Sequence, residues 1–244
     1  MVFVPLSELR DLLSKTGKYW IVYTGDSITS CENVFPNWRD MVVYVLQSEL
    51  TELMNGDWKT PEWGIKSFNF AYDGSTTKDI VDKLDDILLV KPSLLIGLMG
   101  GNDPTLGVSI EKSAENINLI VDRAIKSATK VVWCNSTPAG ESSKKNIEYK
   151  PYAEAFMKIP EQEGFFKVDM FNIYQQFETK RFFTFISEEN PAEGIKAGET
   201  DLQHPNQLGN AYIAKVVLKQ VFDLEFDPEK YIEDTLKGEK YPGY

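Results

Sequence analysis

The chain has 244 residues, 42% of them hydrophobic, with 37 acidic against 26 basic side chains and a formal net charge of −11. That length suits one sizeable core and is short for two α/β domains, so a single domain over residues 1–244 with a charged extension at 223–244 is expected. The negative field disfavours nucleic acid and anionic lipid as partners, and no apolar run approaches the ~18 residues of a membrane span.

Ser7 to Lys15 reads as a short helix stopped by Gly17, and Tyr19 to Tyr23 as a buried strand of aromatic and β-branched residues. The strand gives way to Thr24-Gly25-Asp26-Ser27-Ile28-Thr29-Ser30, which is too small and polar to continue it. Pro36-Asn37 opens a helix with Trp38, Val42, Val45, Leu46 and Leu53 on one face, and Trp58 to Gly64 reads as a loop around Pro61. Ile65 to Phe70 is the second strand. Thr76 and Asp79 form a capping box ahead of a helix striped by Ile80, Leu84, Ile87 and Leu88, which Lys91-Pro92 ends. Ser93 to Met99 is an almost unbroken apolar run, as in a central parallel strand, and Asn102 follows it.

From Ile110, the residues Ala114, Ile117, Val121, Ala124, Ile125 and Ala128 fall on one helical stripe. Lys130 to Cys134 is a fourth strand, followed by a polar loop, a weaker helix after Pro151 and a fifth strand at Phe165 to Met170. A closing helix runs from Pro205 to Phe222, with Pro205 in its first turn. Strand and helix alternate about five times, which predicts an α/β fold with a parallel sheet covered on both faces.

The chemistry-bearing residues lie at strand ends. Ser27 follows the first strand, where ligands bind in open α/β sheets. A serine nucleophile needs a base and a group to orient that base. The chain has one histidine, His204, and Asp201 precedes it by three residues, a spacing that puts both side chains on one side of a turn. Two cysteines, Cys31 and Cys134, make no disulfide framework and, with one histidine, no zinc set. Their scarcity and the lack of a signal pattern in Met1 to Lys18 give cytoplasmic residence as the expectation.

Four blocks, in order, carry a resemblance: Gly25-Asp26-Ser27-Ile28, Asn69 through Thr76, Gly100-Gly101-Asn102-Asp103, and Asp201 to His204 followed by Pro205. The sequence resembles the SGNH hydrolases, also called GDSL-type esterases. The resemblance implies a flavodoxin-like three-layer α/β/α sandwich and hydrolysis of a carboxylic ester through an acyl-enzyme. Ser27 would be nucleophile, His204 base and Asp201 the acid. The oxyanion would be held by Ser27, Ala71 and Asn102, with Ala71 where the family has glycine. No metal or organic cofactor is implied. A short acyl group, such as O-acetyl on a carbohydrate, is the preferred substrate because no membrane-binding amphipathic helix is evident. Lysophospholipase or thioesterase activity on longer chains is the alternative, and a non-catalytic binding module is the rival from another class.

Each residue also has a plainer reading: Ser27 a turn cap, His204 a packed or capping histidine, Asp201 the N-cap of the last helix, and Asn102 a left-handed turn residue. Asp26 is expected to steady its loop. Phe177, Phe182, Phe183 and Phe185 read either as core or as a pocket lining, and Tyr72, Trp133 and Pro138 are left as open candidates near strand ends.

Overall fold

The structure, a computed structural model, describes residues 3–30, 34–189 and 196–244. Cys31 and part of the loop before Thr200 lie outside them. Five parallel strands form one sheet: β1 (Tyr19–Gly25), β2 (Ile65–Ala71), β3 (Leu94–Leu98), β4 (Lys130–Cys134) and β5 (Phe165–Val168), in the order β2-β1-β3-β4-β5. Alternation along the central strands splits the core. Ile21, Tyr23, Ile96, Leu98, Val132 and Cys134 pack on one face. Val22, Leu95, Val131 and Trp133 pack on the other, so residues i and i+1 serve opposite layers.

The first layer holds α1 (Leu6–Thr16), α3 (Trp38–Leu53) and α10 (Gln207–Val217). The second holds α5 (Thr77–Leu89), α7 (Ile110–Lys126) and α8 (Lys145–Met157). Three short helices sit in the connections: α2 (Ser27–Ser30), α6 (Asn102–Thr105) and α9 (Met170–Tyr174). The chain thus has the expected three-layer α/β/α architecture. The strand order reverses between β1 and β3, and the crevice at their carboxyl ends is where such sheets bind ligands.

Four segments differ from the sequence reading. Residues Lys59–Gly64 form a helix, α4, where a loop is expected. Asp57 nucleates it by accepting bonds from Lys59 N, Thr60 N and Thr60 Oγ1, and Pro61 falls in the first turn, where no N–H is needed. The α8 helix begins at Lys145 and runs through Pro151. Its first turn is anchored by Asn146, which accepts from Ala139 N and donates to Ala139 O, while Tyr149, Ala153 and Phe156 bury one face. Pro205 stands just outside α10, whose N-cap is Asn206, bonded to Gly209 N. Leu53, expected on the buried stripe of α3, is 40% exposed, and Met41 and Leu50 are buried instead.

The extension at 223–244 contains a further helix, α11 (Pro228–Lys237), capped by Asp227 and ended by Gly238. It packs on α10, and Arg181 pairs with its Glu229 through two 2.8 Å bonds. Beyond it Tyr44 Oη donates to Pro242 O at 2.9 Å and Tyr244 Oη meets Glu49 at 3.0 Å, so the tail closes over α3.

Candidate active site

β1 and the serine turn are joined by Gly25, opposite Ala71 and Leu98 in the sheet register. Its φ is +153°, and a Cβ there would stand 2.2 Å from the Leu98 carbonyl oxygen, so any side chain would force β1 and β3 apart. The four-residue helix α2 then starts at Ser27. Such a helix has no intrahelical partners for its carbonyls. Side chains supply them: Ser30 Oγ donates to Ser27 O (3.2 Å), Asn37 Nδ2 to Ile28 O (3.0 Å), Arg39 Nε to Thr29 O (2.6 Å) and Asn69 Nδ2 to Ser30 O (2.8 Å). At the other end Asp26 accepts from Ile28 N through its carboxylate and from Thr29 and Ser30 N through its carbonyl. The Ser27 N–H has no partner among the described residues.

The second part of the site is the turn before α10. Phe185 O accepts from Asp201 N, and Leu202 O accepts from Gly140 N, which fixes the turn over the end of β4. Asp201 Oδ1 accepts from the N–H groups of Gln203 (2.8 Å) and His204 (3.1 Å), leaving Oδ2 to meet His204 Nδ1 at 2.6 Å. His204 Nε2 lies 2.8 Å from Ser27 Oγ. With Nδ1–H donating to Asp201, Nε2 is the nitrogen that accepts the serine hydroxyl. Residues 177 positions apart in sequence are therefore in one hydrogen-bonded line. Burial raises the Asp201 carboxyl, but the bond and charge of His204 and the two N–H donors outweigh it, and the group sits below the ordinary carboxylate range.

Asn102 opens α6 beside this line, and its Nδ2 donates one hydrogen to Ser75 O at 3.1 Å, leaving the second free for a ligand. Ala71 differs from expectation. Its N–H donates to Asn69 Oδ1 at 3.0 Å, so it is not an available oxyanion donor, and its φ is not in the left-handed region. In the same block the amides of Asp73 and Gly74 have no partner among the described residues, and Gly74 stands at φ +69° in the turn closed by Ser75 N to Tyr72 O. The bond from Asn102 to Ser75 makes this turn its direct neighbour. Asp-Gly at 73–74 is a turn signal that sequence reasoning could have weighed at this position.

A pocket of about 20 Å³ beside the serine is lined by Asp26, Asn102, Ser136, Tyr149, Gln203 and His204, among others. Sequence reasoning did not single out Ser136 or Tyr149, which follow no motif, or Gln203, which lies within the Asp201 to His204 block. Phe182 and Phe183 belong to the core, as does Trp133, and none of the four phenylalanines, Tyr72 or Pro138 lines this pocket. Asp103 is buried and accepts from Thr77 N and Oγ1, a structural role. Among the described residues no group of three or more His, Cys, Asp or Glu side chains could hold a metal ion, and no helix is long and apolar enough to cross a membrane.

Asp26 is 3% exposed, and burial pushes its carboxyl up to about 7, against opposing pulls from the Ile28 N–H and His204. An unfolded aspartate titrates near about 3.9, so between that pH and about 7 the folded chain holds a proton the unfolded chain has lost. Stability from this group therefore falls as pH rises through the window and is level above it. Asp26→Asn keeps an acceptor for Ile28 N and removes the titration. The variant is expected to melt progressively higher than wild type as pH rises from 4 to 8, the gap closing at the acid end. A melting difference independent of pH would show that Asp26 is ionised in the fold throughout.

The sequence matches the GDSL-like Lipase/Acylhydrolase family over residues 23–212. No curated protein matches it. Among solved structures it is similar to a lipase/acylhydrolase from Enterococcus faecalis, at 18% identity over 83% of this chain and 95% of that one, with a TM-score of 0.62. It is also similar to an acetylxylan esterase from Geobacillus stearothermophilus, at 18% identity over 86% of this chain and 95% of that one, with a TM-score of 0.61. A catalytic mutant of that esterase gives 16% identity over 86% and 95% of the two chains and a TM-score of 0.63. At these identities the likeness is one of fold.

Proposed function

Since this chain belongs to the GDSL-like lipase/acylhydrolase family, we propose that it is a carboxylic ester hydrolase in which Ser27, His204 and Asp201 carry the reaction. The observation that carries this reading is the pair of contacts, 2.8 Å from Ser27 Oγ to His204 Nε2 and 2.6 Å from His204 Nδ1 to Asp201, at the carboxyl end of the sheet. Ser27 Oγ attacks the ester carbonyl as Nε2 takes its proton, and Asp201 stabilises the imidazolium. The donors assigned to the oxyanion are the Ser27 N–H and the second amide hydrogen of Asn102, with the Gly74 N–H of the turn that Asn102 bonds as the third. Preorganised donors of this kind are worth about 10²–10³ in turnover each. His204 then gives its proton to the leaving alcohol. Water, deprotonated by the same nitrogen, attacks the acyl-enzyme and releases the acid and Ser27.

The acyl group is proposed to be short. The pocket beside Ser27 measures about 20 Å³, and a single water-sized group needs ~10–15 Å³ on that scale, so acetyl fits and a long chain does not. The polar lining from Ser136, Tyr149 and Gln203 and the fold shared with an acetylxylan esterase favour an O-acetyl carbohydrate. Nitrophenyl esters from acetate to palmitate, with an acetylated oligosaccharide alongside, test it. Acetate is expected to have the highest kcat/KM and the oligosaccharide to release acetate. Best activity on palmitate would assign the chain to long-acyl chemistry instead.

A further inference from the structure

We propose that Tyr149 is the residue that sets acyl-chain length, its ring closing a second chamber off from the reaction pocket; this rests on the ester-hydrolase reading above. Two cavities lie side by side, one of about 20 Å³ at Ser27 and one of about 10 Å³ deeper in the fold. Ser136 and Tyr149 line both and so form the partition between them. Tyr149, on α8, is 6% exposed. The end of its ring lies against the Asn102 loop: a Cβ on Gly101 would stand 3.4 Å from Tyr149 Cζ and 3.5 Å from its hydroxyl. That hydroxyl donates to Gln203 Oε1 at 3.1 Å, in the turn that carries His204. The ring thus spans from the oxyanion side of the site to the base side.

The second chamber is lined by both apolar and polar side chains. Met99, Ile117, Ala153 and Phe156 supply apolar walls. The polar groups there have partners elsewhere: Asn135 Nδ2 donates to Asp169 and its Oδ1 accepts from Phe171 N, Ser113 bonds Asp103, Ser136 Oγ donates to Thr137 O and Tyr152 Oη to Val108 O. Nothing in the chamber demands a polar ligand. An acyl chain longer than acetyl, directed past Gly101, meets the phenol ring before it reaches this space. A shorter side chain at 149 would join the two cavities into one longer space, with Met99, Ile117, Ala153 and Phe156 along its far end.

The test compares wild type with Tyr149→Leu, Tyr149→Ala and Tyr149→Phe on nitrophenyl acetate, butyrate, hexanoate and octanoate, with melting curves to show that each is folded. Wild type is expected to lose kcat/KM steadily with chain length. Tyr149→Leu and Tyr149→Ala should raise the hexanoate-to-acetate ratio at least about tenfold, the scale on which a pocket discriminates by methylene groups. Tyr149→Phe keeps the ring and loses the hydroxyl with its bond to Gln203, so its ratio should stay at the wild-type value. Because the readout is a ratio, a general loss of rate does not disturb it. An unchanged ratio in folded Tyr149→Leu overturns the proposal, as does a shift in Tyr149→Phe equal to that of the leucine variant. Failure of the underlying reading looks different: wild type would hydrolyse none of the esters.

Discussion

Ser27→Ala and His204→Ala are each expected to lower kcat by about 10⁴–10⁶-fold while leaving the melting temperature within a few degrees of wild type. The size follows from the absence of any substitute. His204 is the chain's one histidine, and its Nε2 is the acceptor 2.8 Å from the serine oxygen. Losing either partner leaves donors that can polarise a carbonyl but nothing to attack it. Groups that act as a unit are not additive, so the double variant should be no slower than the worse single one. A fluorophosphonate that labels wild type at Ser27 should fail to label His204→Ala on the same timescale. If either single variant kept turnover within 100-fold of wild type, or if the double variant multiplied the two losses, Ser27 and His204 would not share one proton path.

Asp201→Asn is the second large effect, near 10⁴-fold in kcat, with substrate binding retained. The hydrogen bonds around the carboxylate give the reason. Oδ1 is held by two backbone donors, Gln203 N and His204 N, so in an asparagine the amide oxygen must stay there. The NH₂ then faces His204 Nδ1, which has to become the acceptor. The ring proton moves to Nε2, and the nitrogen that should take the serine proton already carries one. Because the backbone caps survive, the turn should fold as before. In wild type the depressed Asp201 carboxyl contributes stability that is full above the unfolded value near about 3.9 and is lost as pH falls through its lower folded value. The variant lacks that acid-limb dependence. A loss of activity matched by a large fall in melting temperature at neutral pH would mean that Asp201 is chiefly the cap of its turn.

What could be read from the sequence was local in character. The strand Ser93 to Met99 declares itself by an apolar run, and Ser27, Asn102, Asp201 and His204 lie in short polar blocks at element ends, where a serine, an asparagine and an aspartate-histidine pair are conspicuous. Tyr149 and Ser136 are not, because their place beside the serine comes from packing between α8 and two loops, and neither stands in a pattern. The shift from Ala71 to Gly74 has the same origin. Both have an amide, and the side chain of Asn69, folding back on Ala71 N, takes that one out of use, which no spacing in the sequence announces. The α4 and α11 helices were missed for another reason. Their caps, Asp57 and Asp227, are legible, but Pro61 and Pro228 read as interruptions unless they are counted from the cap.

A helix of four residues cannot stand by itself, and α2 is held up by side chains that belong to α3 and β2. Its geometry is therefore borrowed from the tertiary packing beneath Trp38 and Met41, core side chains that do not line the pocket at Ser27. A substitution in that packing would be felt in the chemistry through Asn37, Arg39 and Asn69, so distant core residues of this chain have a say in where the reactive oxygen points.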